Sequence, residues 1–404
     1  MLRRLQLLAL VVVLVVAAFS TGWEFLFFLV YVGLLVGGGS YILTRLGLSD
    51  LEAGYAVSQL TAHAGDRLRV TYTLRNTSRL PKPWLEVHNP TTLPGGLPGR
   101  ALSLGGRGER SWLVRATLER RGHYRIEPLQ IRTGDPFGFF EASAVVGQGI
   151  TLVVYPRVDA LPLWRLPPAS IEGAHALPER TLQTTPLATT VRPYAPGDSM
   201  NRIHWPTTAR TGEIQVKEFD LEQTADAWIV LDLEASLEAG HGDDSTTEVA
   251  VRAAASIADK ALAENRAVGL TVNGHRLTIL PPDRGSRQRL KILQLLAAVE
   301  ADGATPLDEA LLTSLPRLRR GMTAIVITPS QDTRFVRPLA ALRSRGVGTV
   351  VVGLDATAFD PAADDEEREA QRQHARALRH ALAEYELTSV IVRPHQPLAE
   401  ALAR

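Results

Sequence analysis

Two long apolar runs at the N-terminus constrain this chain more than any other feature. "LQLLALVVVLVVAAF" spans Leu5 to Phe19 with Gln6 as its polar residue, and "FLFFLVYVGLLVGGGSYIL" spans Phe25 to Leu43 without a charge. A helix needs about 17–25 apolar residues to cross a bilayer, so the second run suffices and the first lies at or just below the short end. Arg3 and Arg4 precede the pair, Arg45 follows it, and the connecting "STGWE" carries only Glu24. The positive-inside rule then places both ends in the cytoplasm. A cleaved signal ending in "AAFS" would leave the second run unexplained. Residues 1–46 are therefore expected to form a transmembrane helical hairpin, with residues 5–43 in the bilayer and Trp23 and Tyr41 at its interfaces. Gly37, Gly38 and Gly39 would permit close helix approach or weaken the second span.

Beyond the anchor the composition is that of folded, water-facing domains. A chain of 404 residues is too long for one ordinary core. Lys and Arg total 44 against 43 Asp and Glu, without a long basic run, so charge gives no reason to expect a nucleic-acid partner. The absence of cysteine excludes disulfides, thiolate metal sites and a cysteine nucleophile.

Residues 50–158 read as short strands. In "RLRVTYTLRN", Leu68, Val70, Tyr72 and Leu74 alternate with Arg69, Thr71, Thr73 and Arg75, a period of two. "WLEVHN", "RSWLVRATLE", "LQIRTG" and "ITLVVYP" continue the series, which argues an immunoglobulin-like β-sandwich. Gly134, Asp135, Pro136, Phe137 and Gly138 form a turn whose aromatics, Phe137, Phe139 and Phe140, are expected against the following strand. Residues 159–226 combine a proline-rich linker with a polar segment.

Residues 227–404 alternate strands and helices, the pattern of a doubly wound α/β domain. "AWIVLDLE" is a buried parallel strand, Ser245 caps the next helix, and Asn273-Gly274 reads as a tight hairpin that makes one edge strand antiparallel. Helices are expected over 286–301, 306–318, 334–344 and 361–386. The fold class is thus α/β plus all-β behind two membrane helices.

Ligands of such sheets gather at the carboxyl ends of the strands. The first strand ends in "LDLEAS", with Asp232, Glu234 and Ser236 alternating. This resembles the metal-ion-dependent adhesion site of von Willebrand factor A domains, where an Asp-x-Ser-x-Ser follows the first strand. Asp232 and Ser236 take the aspartate and second-serine positions, Glu234 replaces the first serine, and Thr305 in "GATPLDEAL" takes the place of the loop threonine. Pro329 in "ITPSQD" stands where a second acidic ligand belongs. The resemblance implies a degenerate site for Mg2+, built from hard oxygen donors.

"RPYAPGDSMNRIHW" places Arg192, Tyr194, Gly197, Asp198, Arg202, His204 and Trp205 around a turn, with Arg210 shortly after. Turn chemistry and planar guanidinium forks point to a partly buried polar joint between parts of the chain. Asp198 with His204 also supplies the residue types of a hydrolase or transferase acting on cell-envelope material. The spacing Arg-x-Tyr-x-x-Gly-Asp, then Arg-Ile-His-Trp, resembles the signature of the bacterial family called domain of unknown function fifty-eight. "RRGHYRIEPLQIRTGDPFGFFEA" and "VVYPRV" resemble its other recurrent segments. The resemblance implies a cytoplasmic-membrane protein with cytoplasmic soluble domains, acting without catalysis as an adaptor for a MoxR-type AAA+ ATPase or its client. A purely structural membrane protein is the third reading.

Overall fold

A computed structural model of the chain describes residues 2–166, 190–195, 200, 203–218, 226–359 and 365–403. They gather into two compact units, one of residues 1–159 with 241–243 and 290–300, the other of the remainder.

The first unit opens with helices α1 (Leu2–Thr21) and α2 (Glu24–Gly47), joined through Gly22 and Trp23. Phe19 meets the edge of Phe27 across this joint, ring centroids 5.2 Å apart. Among the described residues, α2 is the helix long and apolar enough to cross a membrane; the apolar part of α1, Val11–Thr21, is shorter. Beyond its apolar run α2 continues through Arg45. There Lys82, 1% exposed, donates from Nζ to the Leu46 carbonyl. It shares this last-turn carbonyl with the Ser49 hydroxyl, which donates to it at 2.9 Å, and sets a positive charge at the negative end of the helix dipole. Burial lowers the Lys82 pKa, and the charge of Asp50 opposes the shift.

Ten strands follow: β1 (Leu51–Val57), β2 (Thr61–His63), β3 (Arg67–Asn76), β4 (Lys82–His88), β5 (Arg100–Leu104), β6 (Glu109–Thr117), β7 (Gly122–Ile126), β8 (Leu129–Gly134), β9 (Glu141–Val146) and β10 (Ile150–Tyr155). They form sheets of order β1-β3-β6, β5-β4-β8-β9 and β2-β10-β7, antiparallel except where β2 meets β10. The period-two reading of β3 holds: Leu68, Val70, Tyr72 and Leu74 all point inward. Leu85, Val87, Leu129, Ile131, Leu152 and Val154 complete one core. Each such aliphatic side chain contributes about 1.5–3 kcal/mol relative to exposure. Tyr72 stacks on Trp112 at 5.2 Å and donates its hydroxyl to Asn89 Oδ1 at 3.1 Å. Burial, with a smaller contribution from Tyr55, pushes the Tyr72 pKa up to about 12.

The aromatic turn after β8 departs from expectation. Phe137 stacks on Phe139 at 5.6 Å, and Phe140 packs edge-on against Tyr41 of α2 at 5.6 Å. Helix α2, rather than the following strand alone, supplies the partner of this turn.

The second unit begins with β11 (Thr190–Pro193), α3 (Trp205–Thr211) and β12 (Gln215–Glu218). The strand expected in "GEIQVKEF" is β12, and it pairs antiparallel with β11 as a two-stranded ribbon. The α/β part comprises β13 (Ala227–Asp232), α4 (Thr246–Ala263), β14 (Val268–Asn273), β15 (Leu277–Asp283), α5 (Gly285–Ala298), α6 (Leu307–Ser314), β16 (Thr323–Thr328), α7 (Val336–Ser344), β17 (Gly348–Leu354), α8 (Ala356–Phe359), α9 (Asp365–Glu384), β18 (Thr388–Val392) and α10 (Leu398–Leu402). Its sheet has the order β15-β14-β13-β16-β17-β18, with only β14–β15 antiparallel. Numbered within the sheet this is 3-2-1-4-5-6, whose order reverses between β13 and β16.

Every residue of β13, β14 and β16 is buried, as a sheet covered on both faces requires. Trp228, Val230, Ala324 and Val326 pack with Leu311, Phe335 and Leu339 on one face. The alternate residues Ile229, Leu231, Ile325 and Ile327 turn to the other. Ser245 caps α4 as expected, its Oγ accepting from Glu248 N at 3.3 Å. The hairpin differs from its sequence reading. Asn273 stays in β14 opposite Leu277, so the turn is the three residues 274–276 rather than Asn-Gly alone.

A buried aspartate at the strand ends

Asp232, the last residue of β13, lies where the sheet order reverses and is 1% exposed. Three donors converge on its carboxylate. Thr328, ending β16, donates its hydroxyl to Oδ2 at 2.7 Å; Asn273, ending β14, donates Nδ2 to Oδ1 at 3.1 Å; and Glu234 N approaches Oδ1 at 3.4 Å. One carboxylate therefore ties together the carboxyl ends of three adjacent strands. Burial holds the Asp232 carboxyl above its ordinary value; the Thr328 and Asn273 bonds pull it back, and the charge of Glu234 adds to the rise.

The loops around it are zipped by backbone bonds. Gly303 N donates to Leu233 O at 3.0 Å and Ala235 N to Gly303 O at 2.9 Å, a bridge that sets Glu234 beside Gly303. A Cβ on Gly303 would lie 2.8 Å from the carbonyl oxygens of both Asn273 and Leu233, so the close approach needs glycine. Asn273 Nδ2 also donates to the Thr305 carbonyl at 2.8 Å. Asp302 Oδ1 accepts from His275 N at 2.7 Å, fastening the hairpin turn to the same loop.

Of the residues predicted for this site, the structure brings Asp232, Glu234 and Thr305 together, but Thr305 takes part through its backbone carbonyl. Ser236 donates its hydroxyl to Glu234 Oε1 at 2.6 Å and sits in the exposed turn 235–237. As arranged, these residues do not fit a resident divalent cation. The Asp232 oxygens are engaged by three protein donors, Ser236 is paired with Glu234, and among the described residues no group of three or more His, Asp or Glu is placed to hold a metal. Pro329 leaves a gap that sequence reasoning did not fill. Thr328, one residue earlier, turns its hydroxyl to Asp232, and Asp332, three residues later, supplies the carboxylate of that loop.

That loop is ordered by its own polar groups. Ser330 N donates to Thr328 Oγ1 at 2.9 Å, Asp332 N to Ser330 Oγ at 3.2 Å, and Arg334 Nε to Asp332 Oδ2 at 2.6 Å. Partial burial would raise the Asp332 carboxyl, but the backbone and guanidinium of Arg334 outweigh it and hold the group below its usual range. Asp332, with Asp308 and Glu234, in turn keeps Arg334 firmly charged. The rim of the site is thus an arrangement of opposite charges over the buried Asp232 carboxylate.

The polar cluster of residues 192–210 is only partly described. Gly197, Asp198 and Arg202 lie outside the described residues. Arg192 donates to the neighbouring Pro193 carbonyl at 3.1 Å. Tyr194 is 38% and Trp205 65% exposed. His204 has a plain structural role. Its Nδ1 accepts from Thr207 N at 3.2 Å and faces Thr207 Oγ1 at 2.7 Å, capping α3. Arg210 lies in the last turn of α3, where its charge suits the helix dipole. Of the turn motif, Asp135 is the organising residue: its carboxylate accepts from Phe137 N at 2.9 Å and Phe140 N at 2.6 Å.

A mostly parallel six-stranded sheet covered by helices, with a buried aspartate bonded at the ends of three strands, defines an open α/β fold. Residues 190–357 match the family model described as "Protein of unknown function DUF58". The "Uncharacterized protein YeaD" of Bacillus subtilis (strain 168) is 27% identical over 343 residues, which cover 82% of this chain and 80% of that protein. The "Uncharacterized protein Rv1480" of Mycobacterium tuberculosis (strain ATCC 25618 / H37Rv) is 31% identical over 172 residues, 41% of this chain and 53% of its own length. Among solved structures, the CARDB domain of the PF1109 protein from Pyrococcus furiosus, an immunoglobulin-like neighbour, aligns over 26% of this chain and 92% of its own, with 16% identity and a TM-score of 0.20. Proximal thread matrix protein 1 from the mussel byssus aligns over 44% and 46%, with 10% identity and a TM-score of 0.30.

Proposed function

We propose that this chain is a membrane-anchored, non-enzymatic adaptor of the cytoplasmic membrane that binds a protein partner through the strand-end loops of a von Willebrand A-like domain. Strand order 3-2-1-4-5-6 with an antiparallel third strand supports that domain type. The carrying observation is the division of labour at the strand ends. Asp232 is consumed in fixing three strands, while Glu234, Ser236, Asp332 and Arg334 form a preorganised polar rim. A rim fixed before binding loses little entropy on docking and selects a partner of complementary charge.

Helix α2 supports the anchor, with α1 as a companion span, and the arginines at positions 3, 4 and 45 support a cytoplasmic face. The family resemblance makes a MoxR-type AAA+ ATPase, or its client, the expected partner. Chemical crosslinking in intact membranes, affinity capture of the full chain and mass spectrometry test this. The wild type should yield an AAA+ ATPase, and Glu234→Ala with Arg334→Ala should lower that yield severalfold while leaving the protein's abundance unchanged. Equal recovery from wild type and variant would remove the strand-end loops from the interface.

A further inference from the structure

The aromatic turn after β8 lies outside the strand-end rim, yet its geometry is specific. Residues 25–44 of α2 form an uncharged stretch, which as a helix is about 30 Å long, the thickness of a bilayer's hydrocarbon core. Tyr41 lies three residues, about 4.5 Å, inside the end of that stretch. Phe140 packs edge-on against Tyr41 at 5.6 Å. The turn is therefore held at the depth where hydrocarbon gives way to headgroups.

The rest of the contact fixes this height. A Cβ on Gly47 would lie 2.7 Å from Thr133 Cγ2, so helix and strand approach too closely for a larger residue, and Lys82 holds the Leu46 carbonyl alongside. At the tip Phe137 is 60% exposed and stacks on Phe139, while Trp84, beside Gly134, is also exposed. Exposed aromatics on one rim of a domain are costly in water and favourable at a membrane interface. The backbone is prepared for that setting, since Asp135 accepts the amides of Phe137 and Phe140 and Gly138 N donates to Asp135 O at 3.1 Å. Arg45, with Nε 3.3 Å from the Tyr41 hydroxyl, sets a cation at headgroup level.

We propose that Phe137, Phe139 and Trp84 form a membrane-interface foot, by which the β-rich unit rests on the headgroup–acyl boundary of the bilayer that α2 spans. The inference rests on the membrane anchoring proposed above. It makes the β-rich unit a fixed pedestal at the surface rather than a domain on a free tether.

The chain has no cysteine, so single labelling sites are unambiguous. The full chain would carry a nitroxide at Phe137→Cys or Phe139→Cys, with Leu35→Cys as a mid-span reference and Gln148→Cys, beyond the far end of β9, as a water reference. In phosphatidylethanolamine–phosphatidylglycerol vesicles, collision rates with oxygen and with a water-soluble nickel chelate report depth. The expected result is an oxygen-to-nickel ratio at 137 and 139 severalfold above that at 148 and approaching that at 35. A ratio at 137 and 139 equal to that at 148, with 35 still in lipid, would overturn the foot and leave the anchor standing. Shielding of 137 from both reagents would also overturn it, by showing a protein rather than lipid on this surface. A nickel-accessible label at 35 would overturn the anchor and the foot together.

Discussion

Asp232 shows how one residue can look like a ligand and act as a clamp. Its position was legible because strand-end aspartates at a sheet's reversal point are read directly from the alternation in "LDLEAS". Its partners were not, because Asn273 and Thr328 are brought to it by sheet pairing across 41 and 96 residues. Asn273 was instead assigned to a turn on local chemistry, which the strand register overrode. Asp232→Ala would leave buried donors of Thr328, Asn273 and Glu234 without an acceptor, a loss on the order of 3 kcal/mol. Urea unfolding of the detergent-solubilised chain should show it as a lower midpoint. The pH dependence has a definite sign. A carboxyl whose folded pKa is raised above its ordinary 3.8 favours the fold below that value and loses this contribution as pH rises through the folded pKa. Asp232→Asn cannot titrate, so its stability relative to wild type should improve as pH rises through that window; a pH-independent difference would place the shift elsewhere. His204→Ala should remove a helix cap at a cost of about 1 kcal/mol, and His204→Asn should recover most of it in the same assay.

Elements were legible where their period was strong. The alternation of Leu68, Val70, Tyr72 and Leu74 gave the inward face of β3, and the mostly apolar β13 and β16 gave a sheet covered on both sides. Pairing was less legible. That β12 joins β11 rather than the main sheet, and that Phe140 meets α2, depend on contacts between segments whose own sequences carry no sign of each other. The junction of α2 with β8 and β4 is the element-scale feature most open to a single substitution. Gly47→Val would drive a side chain into Thr133 and should cost about 1–3 kcal/mol through forced displacement. A lowered thermal midpoint of the solubilised chain, with the helix content by circular dichroism retained, is the expected outcome.

At the scale of the whole molecule, the proposed function joins a membrane anchor to a docking surface and assigns chemistry to neither. The anchor was the plainest message of the sequence, since hydrophobic runs need no tertiary context to be read. The partner was the least plain, because a docking rim is defined by where Glu234, Asp332 and Arg334 meet in space rather than by their spacing. If both termini and the soluble units face the cytoplasm, protease added to intact cells should leave residues beyond 50 uncut, and cleavage should begin only after the membrane is opened. The most direct measurement is photo-crosslinking in living cells, with a benzophenone amino acid at Ser236 on the rim and, for comparison, at the exposed Arg287 of α5. An adaptor that docks through its strand-end loops should give a covalent adduct with one protein, an AAA+ ATPase subunit or its client, from position 236 and not from 287. An adduct from 287 with none from 236 would contradict that role.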